Sequence, residues 1–289
     1  MNFFKKNIPW WMKIILKLIL KRLPFSYSIL SNNLKIFKHG EMINPNYAYD
    51  VFNFHYNKVK NYIPKRYTMC EIGPGDSIST SVIANKFGAS KIYLIDVGDF
   101  VKKNLSDYKK LYDLLSEKDI ENHGLNSIHD FESLLQKTNS KYLTEGLLSL
   151  KSLQSNTIDF FMSQAALEHI SLSQFKETQI EIKRLLKPNG IISHKVDLKD
   201  HLNNSLNNLR FSENIWESNF MSKSGFYTNR LRYNEMINIF EDSGLKIIST
   251  TIQTWDKIPI PRSKLASKFK NLSENELRIS GFHILLKAK

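Results

Sequence analysis

The stretch "YTMCEIGPGDSISTSVIANKFG", residues 67–88, constrains the fold more than any other part of the chain. Its first six residues read as a strand, a turn with two glycines around Pro74 follows, and a helical pattern then runs to a closing glycine. A second apolar run, "KIYLID", comes next, which completes a βαβ unit. Further along, "KYLT", "IDFFMSQ" and "GIISHKV" read as strands, separated by the helical pattern "SQFKETQIEIKRLLK". Short apolar runs alternating with helical patterns are the mark of a parallel sheet covered on both faces. Near the C-terminus "RLRYNEMINIFEDSG" reads as a helix, and "LKIISTTIQTW" and "ISGFHILLKA" as two closing strands.

Charge divides the chain. Eight of its net thirteen positive charges fall within residues 1–40, which hold no acidic residue, so the remainder is only mildly basic. This basic segment contains "PWWMKIILKLILKRLP", where Lys13, Lys17 and Lys21 recur every four residues and share one helix face. The apolar stretch is too short and too charged to span a bilayer, and no small-residue cleavage site follows it. Residues 9–24 therefore form an amphipathic helix that lies on an anionic membrane surface, packs on the body of the protein, or joins a second copy. We read residues 1–40 as an extension and residues 41–289 as the main domain, with a helical insertion at about 100–138. The one cysteine, Cys70, has no partner, so the chain has no disulfide framework and a cytoplasmic address is the default.

The glycine turn raises the question of a ligand. Gly73 and Gly75 let the backbone approach one closely at a helix start, but a dinucleotide fingerprint would need a third glycine where Ile78 stands. Glu71 is a carboxylate at the end of a strand read as buried, where an acid favours a cationic partner. Asp96 closes the second strand 21 residues after Gly75, where an acid can accept both hydroxyls of a ribose. A ligand with a ribose, a positive end and no diphosphate fits this set, and S-adenosylmethionine has that chemistry.

From "CEIGPGDS", "YLID", "NTIDFFMSQAALEHI" and "IKRLLKPNGIISHKV" the chain resembles the class I S-adenosylmethionine-dependent methyltransferases over roughly residues 66–287. The resemblance implies a Rossmann-like α/β fold: a seven-stranded sheet in the order 3-2-1-4-5-7-6, its last strand antiparallel, with helices on both faces. It also implies that Glu71, Gly73, Pro74, Gly75 and Asp96 hold the cofactor, with Ser163 and Gln164 lining it. The acid such enzymes often carry after strand three has no clear counterpart; Glu145 is the nearest.

Transfer to a hydroxyl needs a base. "SHKVDLKDH" brings His194, Asp197, Asp200 and His201 to the carboxyl end of strand five, and His169 follows strand four. The base candidates are His169, His194, Asp197 and His201. A divalent metal on Asp197, Asp200 and His201 stays open as a weaker alternative. Tyr227, Asn229, Arg230 and Arg232, in an acceptor segment at about 200–235, offer groups that would bind a polar or anionic acceptor. Nucleic acid is disfavoured, because "SQAALEH" replaces the Pro-Pro-aromatic pattern of base-modifying enzymes and no cysteine nucleophile is available. The basic N-terminus, "FKHGEM", the histidine–aspartate cluster and "YTNRLRY" are similar to bacterial methyltransferases of surface-polysaccharide assembly, which implies a sugar hydroxyl on a glycan or glycolipid precursor as acceptor. A methyltransferase acting on another small molecule is the next alternative; two other classes are a nicotinamide-dependent sugar-modifying enzyme, which should carry a third glycine and a "YxxxK" pair, and a binding module without catalysis.

Overall fold

The computed structural model describes residues 9–12, 14, 15, 41–118, 120 and 128–289. Lys13, Lys17 and Lys21, with most of the segment expected to be an amphipathic helix, lie outside the described residues.

The strands form where the sequence places its apolar runs: β1 (Tyr67–Ile72), β2 (Ala89–Ile95), β3 (Ser140–Leu143), β4 (Ile158–Gln164), β5 (Leu186–Asp197), β6 (Leu245–Thr254) and β7 (Ile279–Ala288). They make one seven-stranded sheet in the order β3-β2-β1-β4-β5-β7-β6. The first five are mutually parallel, and β7 runs antiparallel to both β5 and β6. This is the order expected from the resemblance.

The main helices are α1 (Pro45–Val59), α2 (Ser79–Lys86), α3 (Leu105–Glu117), α4 (Phe131–Lys137), α5 (Leu147–Lys151), α6 (Leu172–Leu185) and α7 (Tyr233–Asp242). Asn44 caps α1 through the N–H groups of Asn46 and Tyr47, and Pro45 stands in the first turn, where its missing N–H costs nothing. The α7 helix begins at Tyr233, four residues after Asn229, because Arg230 has a left-handed backbone (φ +59°) and Arg232 an extended one, which interrupt the helical pattern.

Alternation along β4 explains why it reads as one apolar run. Phe160 and Met162 pack with Phe52, Val82 and Tyr108 on the α1–α3 side, while Phe161 packs with Phe175, Ile192 and Phe240 on the α6–α7 side. The sheet is thus buried on both faces at its centre. At its edge β6 is exposed along most of its length.

Residues 200–232 carry only short helical turns, at Asn207–Arg210, Glu213–Trp216 and Asn219–Ser222. They fold around Trp216, which is fully buried and donates its indole N–H to the carbonyl of Thr228 at 2.7 Å. The described part of the N-terminal segment docks here. Trp10 meets Phe211 edge-on, Arg210 lies over the Trp10 ring, and Ile14 is buried among Leu202, Trp216, Met221 and Phe226.

Candidate active site

The strand order reverses between β1 and β4, and the carboxyl edge at such a switch point is where open α/β sheets bind ligands. The chain leaves β1 through Gly73 and Gly75, with φ of +72° and +73°, a conformation that side chains with a Cβ resist. Gly73 donates its N–H to the carbonyl of Ile95 at 2.8 Å, tying the turn to the end of β2. A Cβ on Gly73 would stand 2.5 Å from the Cβ of Ala166, so the turn passes against the chain leaving β4 with no room for a side chain.

Glu71 is only 1% exposed. Burial pushes its carboxyl up to about 7; the hydroxyl of Thr80, which donates to it, works against this, and the charge of Asp96 adds to it. Asp96 is pushed up to about 6, again by burial, against the N–H of Val97 at 2.7 Å and that of Gly75. Two carboxylates near enough to perturb each other lie at the ends of neighbouring strands, held by few donors. A ligand with a positive end would return both to their ionised forms, and the glycine turn leaves its backbone accessible to that ligand.

Not every residue expected at this edge lines it. Ser163 is fully buried, and its hydroxyl pairs with Nδ1 of His194 at 2.7 Å. That pair faces α6 and α7, with Phe240 over the His194 ring. Burial lowers His194 to about 3, so it is neutral, and no solvent reaches it. His194 is therefore a core residue and not a base, and Ser163 supports it instead of lining a cofactor. Alternation in β5 is the reason: Ser193 points toward α1, and His194 to the opposite face.

Gln164 does stay at the edge, half-buried, and its side-chain carbonyl pairs with Nε2 of His55 at 3.2 Å. His55, from α1, is a residue the sequence reading passed over. Its Nδ1 meets the hydroxyl of Ser193 at 2.7 Å, which also meets Nε2 of His283 at 2.8 Å. Burial is the main cause that lowers His55 to about 3, so this chain of polar groups is uncharged. Its position relative to Val51, Phe52 and Val59 on one helix face was the available signal.

Beyond β4 a single turn, Leu167–His169, carries the other group of candidates. Nδ1 of His169 lies 2.9 Å from the backbone carbonyl of Tyr227. A carbonyl only accepts, so Nδ1 carries the hydrogen and Nε2 keeps its lone pair. Nε2 of His201 approaches that lone pair at 3.0 Å, with the two rings 14° from parallel. Both histidines are exposed, whereas Glu168 beside them is 2% exposed, and no side chain among the described residues hydrogen-bonds its carboxylate, near which only the backbone N–H groups of Glu168 and Asp197 lie as donors. Burial pushes the Glu168 carboxyl well above the usual range. Sequence reasoning missed Glu168, since an acid in "LEHI" looks like a solvated loop residue.

The remaining members of "SHKVDLKDH" serve the loop. Asp197 accepts from the N–H of Lys199 at 2.9 Å and pairs with its ammonium at 3.5 Å. Asp200 is buried and accepts the N–H groups of Leu202, Asn203 and Asn207, which fixes the loop that presents His201. With Asp200 so engaged, the set Asp197, Asp200 and His201 does not gather as a metal site.

The four residues expected to bind the acceptor are buried braces. Asn229 donates to the carbonyls of Leu167 and Ile170, holding the His169 turn. Arg230 donates to the carbonyl of Phe211, and its guanidinium lies over the rings of Trp216 and Phe269. Arg232 reaches the carbonyls of Leu198, Glu276 and Ile279. Tyr227 donates its hydroxyl to Glu217 at 2.8 Å and offers its backbone carbonyl to His169. Their polar groups face main chain because this segment has no regular structure to satisfy its own carbonyls. All four are buried.

Residues 70–193 match the family described as a methyltransferase domain. Among solved structures, a geranyl diphosphate C-methyltransferase from Streptomyces coelicolor A3(2) is similar at 12% identity and a TM-score of 0.47, covering 83% of this chain and 76% of its own. A SAM-dependent methyltransferase from Archaeoglobus fulgidus is similar at 12% identity and a TM-score of 0.45, over 82% of this chain and 93% of its own. The [4+2]-cyclase SpnF is similar at 10% identity and a TM-score of 0.47, over 83% of this chain and 80% of its own. No curated protein matches the chain.

Proposed function

We propose that this chain, whose residues 70–193 match a methyltransferase domain, transfers a methyl group from S-adenosylmethionine to a hydroxyl oxygen, with a glycan or glycolipid precursor as the acceptor class. S-adenosylmethionine is its cofactor. The observation that carries the reading is the pair of acids at the glycine turn, Glu71 buried and Asp96 half-buried, both raised by burial despite the donors they have, with the charge of Asp96 adding to the shift of Glu71. The same turn lacks the third glycine that a diphosphate would require, since Ile78 fills that position and is fully buried.

The cofactor, when bound, supplies an electrophilic methyl carbon on a sulfonium. The protein's part is to hold that carbon in line with the acceptor oxygen and to remove the oxygen's proton. Gly73 and Gly75 form the floor, Glu71 and Asp96 hold the positive end and the ribose, and Gln164 stands at the end of β4. The acceptor oxygen is activated at Nε2 of His169, whose lone pair is fixed by the Tyr227 carbonyl. Calorimetry with S-adenosylmethionine tests the first part: the wild-type chain should bind, and Gly73→Val should not. Absence of binding by the wild type defeats the reading. Tritiated-methyl transfer into fractionated cell-envelope extract tests the acceptor class, and label appearing only in protein or nucleic acid would replace it.

Residues 1–40 add a second proposal, docking of the enzyme on an anionic membrane face. Trp10 and Ile14 turn toward the protein, while Trp11, Met12 and Ile15 are left exposed on the other side of the same turn. No helix among the described residues is long and apolar enough to cross a membrane. Full-length protein should co-sediment with phosphatidylglycerol vesicles, and the triple change of Trp11, Met12 and Ile15 to serine should abolish this; equal partitioning of the two ends the idea.

A further inference from the structure

We propose that Glu168, His169 and His201 bind one divalent transition-metal ion of the zinc type, with a fourth position open toward the acceptor. The proposal rests on the reading that this end of the sheet receives the acceptor oxygen, and it deepens how that oxygen is activated.

One ligand atom from each of the three residues lies within 4.8 Å of the other two. The two Nε2 atoms are already 3.0 Å apart. Two imidazole nitrogens at about 2.0–2.1 Å from a tetrahedral ion stand about 3.3–3.4 Å apart, so the pair has to open by only a few tenths of an ångström. The carboxylate must close by up to about 1.4 Å, a movement that changes of side-chain torsion in a glutamate can supply.

Orientation supports the same occupant. The Tyr227 carbonyl takes the Nδ1 hydrogen of His169 and aims the Nε2 lone pair at His201, the outer partner that metal-ligating histidines commonly have. Asp200 fixes the loop behind His201 through three backbone N–H groups. Asn229 holds the turn behind His169 through the carbonyls of Leu167 and Ile170. Both histidines are thus set by a built frame before any ligand arrives.

Glu168 supplies the independent observation. A buried carboxylate carries a desolvation cost, which the backbone N–H groups of Glu168 and Asp197 and the charge of Lys199 only partly offset. A cation between it and the two imidazoles removes that deficit. Two imidazoles with one carboxylate favour zinc, cobalt or nickel over magnesium or calcium, which take oxygen ligands, and three protein ligands leave a coordination position free.

With the ion in place Nε2 of His169 is a ligand and no longer accepts the proton; its part in activation passes to the ion, which binds the acceptor hydroxyl at the fourth position, where the proton is more acidic and passes to solvent. The oxygen then forms its bond to the methyl carbon as the carbon–sulfur bond breaks, and S-adenosylhomocysteine leaves with the electron pair of that bond on sulfur. No oxidant or further reactant is needed.

Cobalt(II) titration of the full chain, stripped with chelator and read by calorimetry and by visible absorption, tests the site. One equivalent should bind with the intense absorption of a four-coordinate ion. Glu168→Gln and His201→Ala should each weaken binding at least tenfold, and His129→Ala, which removes an exposed histidine elsewhere, should leave it unchanged. Failure of the wild type to bind one equivalent, or undiminished binding in both variants, overturns the proposal and leaves the histidines as a hydrogen-bonded pair. Binding of S-adenosylmethionine, measured alongside, separates the two readings: its loss removes the methyltransferase proposal, whereas its retention with no cobalt bound removes this one alone.

Discussion

Glu71 sets a conflict between stability and binding. Its carboxyl takes up a proton near pH 7 in the fold, against an ordinary value of 4.5, so the folded chain holds more protons across that interval and loses stability as pH rises through it. Above pH 7 the loss amounts to about 3 kcal/mol. Glu71→Gln should therefore raise the urea midpoint of the cofactor-free protein at pH 8, with a gain that shrinks toward pH 5, while weakening S-adenosylmethionine. In the wild type, affinity for the cofactor should fall as pH drops below about 7, since protonation competes with the cation; an affinity flat from pH 8 to pH 5.5 contradicts the assignment. At the other end of the site, His169→Gln should spare cofactor binding and reduce turnover about 10²–10⁴-fold, the usual worth of acid–base assistance. Glu71 and Asp96 were legible in the sequence because strand ends have fixed places in a βαβ unit. That His194 is a core residue was not legible there, because which face of β5 a side chain takes depends on the register against β4. The arginines of "YTNRLRY" misled for a related reason: a guanidinium that satisfies three main-chain carbonyls and one that awaits a ligand look the same in a string of letters.

The elements on the two sides of β5 each bury neutral histidine. His55 and His283 meet through Ser193 on the α1 side, and His194 meets Ser163 on the other. Burial is the leading cause in all three, lowering His55 and His194 to about 3 and His283 to about 4, from 6.5. A lowered histidine contributes stability that is fully present above pH 6.5 and lost as pH falls toward the folded value. Each costs at most about 1.4 kcal/mol per pH unit below about 6.5, and a fold of this kind has about 5–15 kcal/mol in all. Glu71 and Asp96 act in the opposite sense, regaining about 3 kcal/mol each as they protonate, so the net loss reaches about 5 kcal/mol only near pH 3.5. Unfolding, followed by tryptophan fluorescence, should accordingly begin only between about pH 4 and pH 3; loss of native fluorescence already at pH 5 would falsify this. Every strand, the weak β3 included, was readable from apolar period, and α2 and α7 also from their glycine stops; the short α5 was not read. The polar layer that α1 lays on β5 was not, because it joins residues 138 and 90 positions apart.

Across the whole molecule, the order of the last three strands came from resemblance and not from pattern, since alternation and turn signals do not say that β7 inserts between β5 and β6. That insertion has a consequence for synthesis. Among the described residues β6 pairs with no strand but β7, and β7 joins it to the second half of β5, Ile192–Asp197. Arg232, ahead of α7, likewise finds two of its three carbonyl partners at Glu276 and Ile279. As the chain leaves the ribosome, β1 to β5 can pair with one another while β6 still waits, its backbone open on both sides. A chain cut before Ile279 should therefore accumulate in the insoluble fraction on expression, although every residue of the glycine turn and of the Glu168–His169–His201 group is present. A soluble, cofactor-binding product of that length would contradict this. The site is written early in the chain, but whether it survives its own translation is decided by the last strand to emerge.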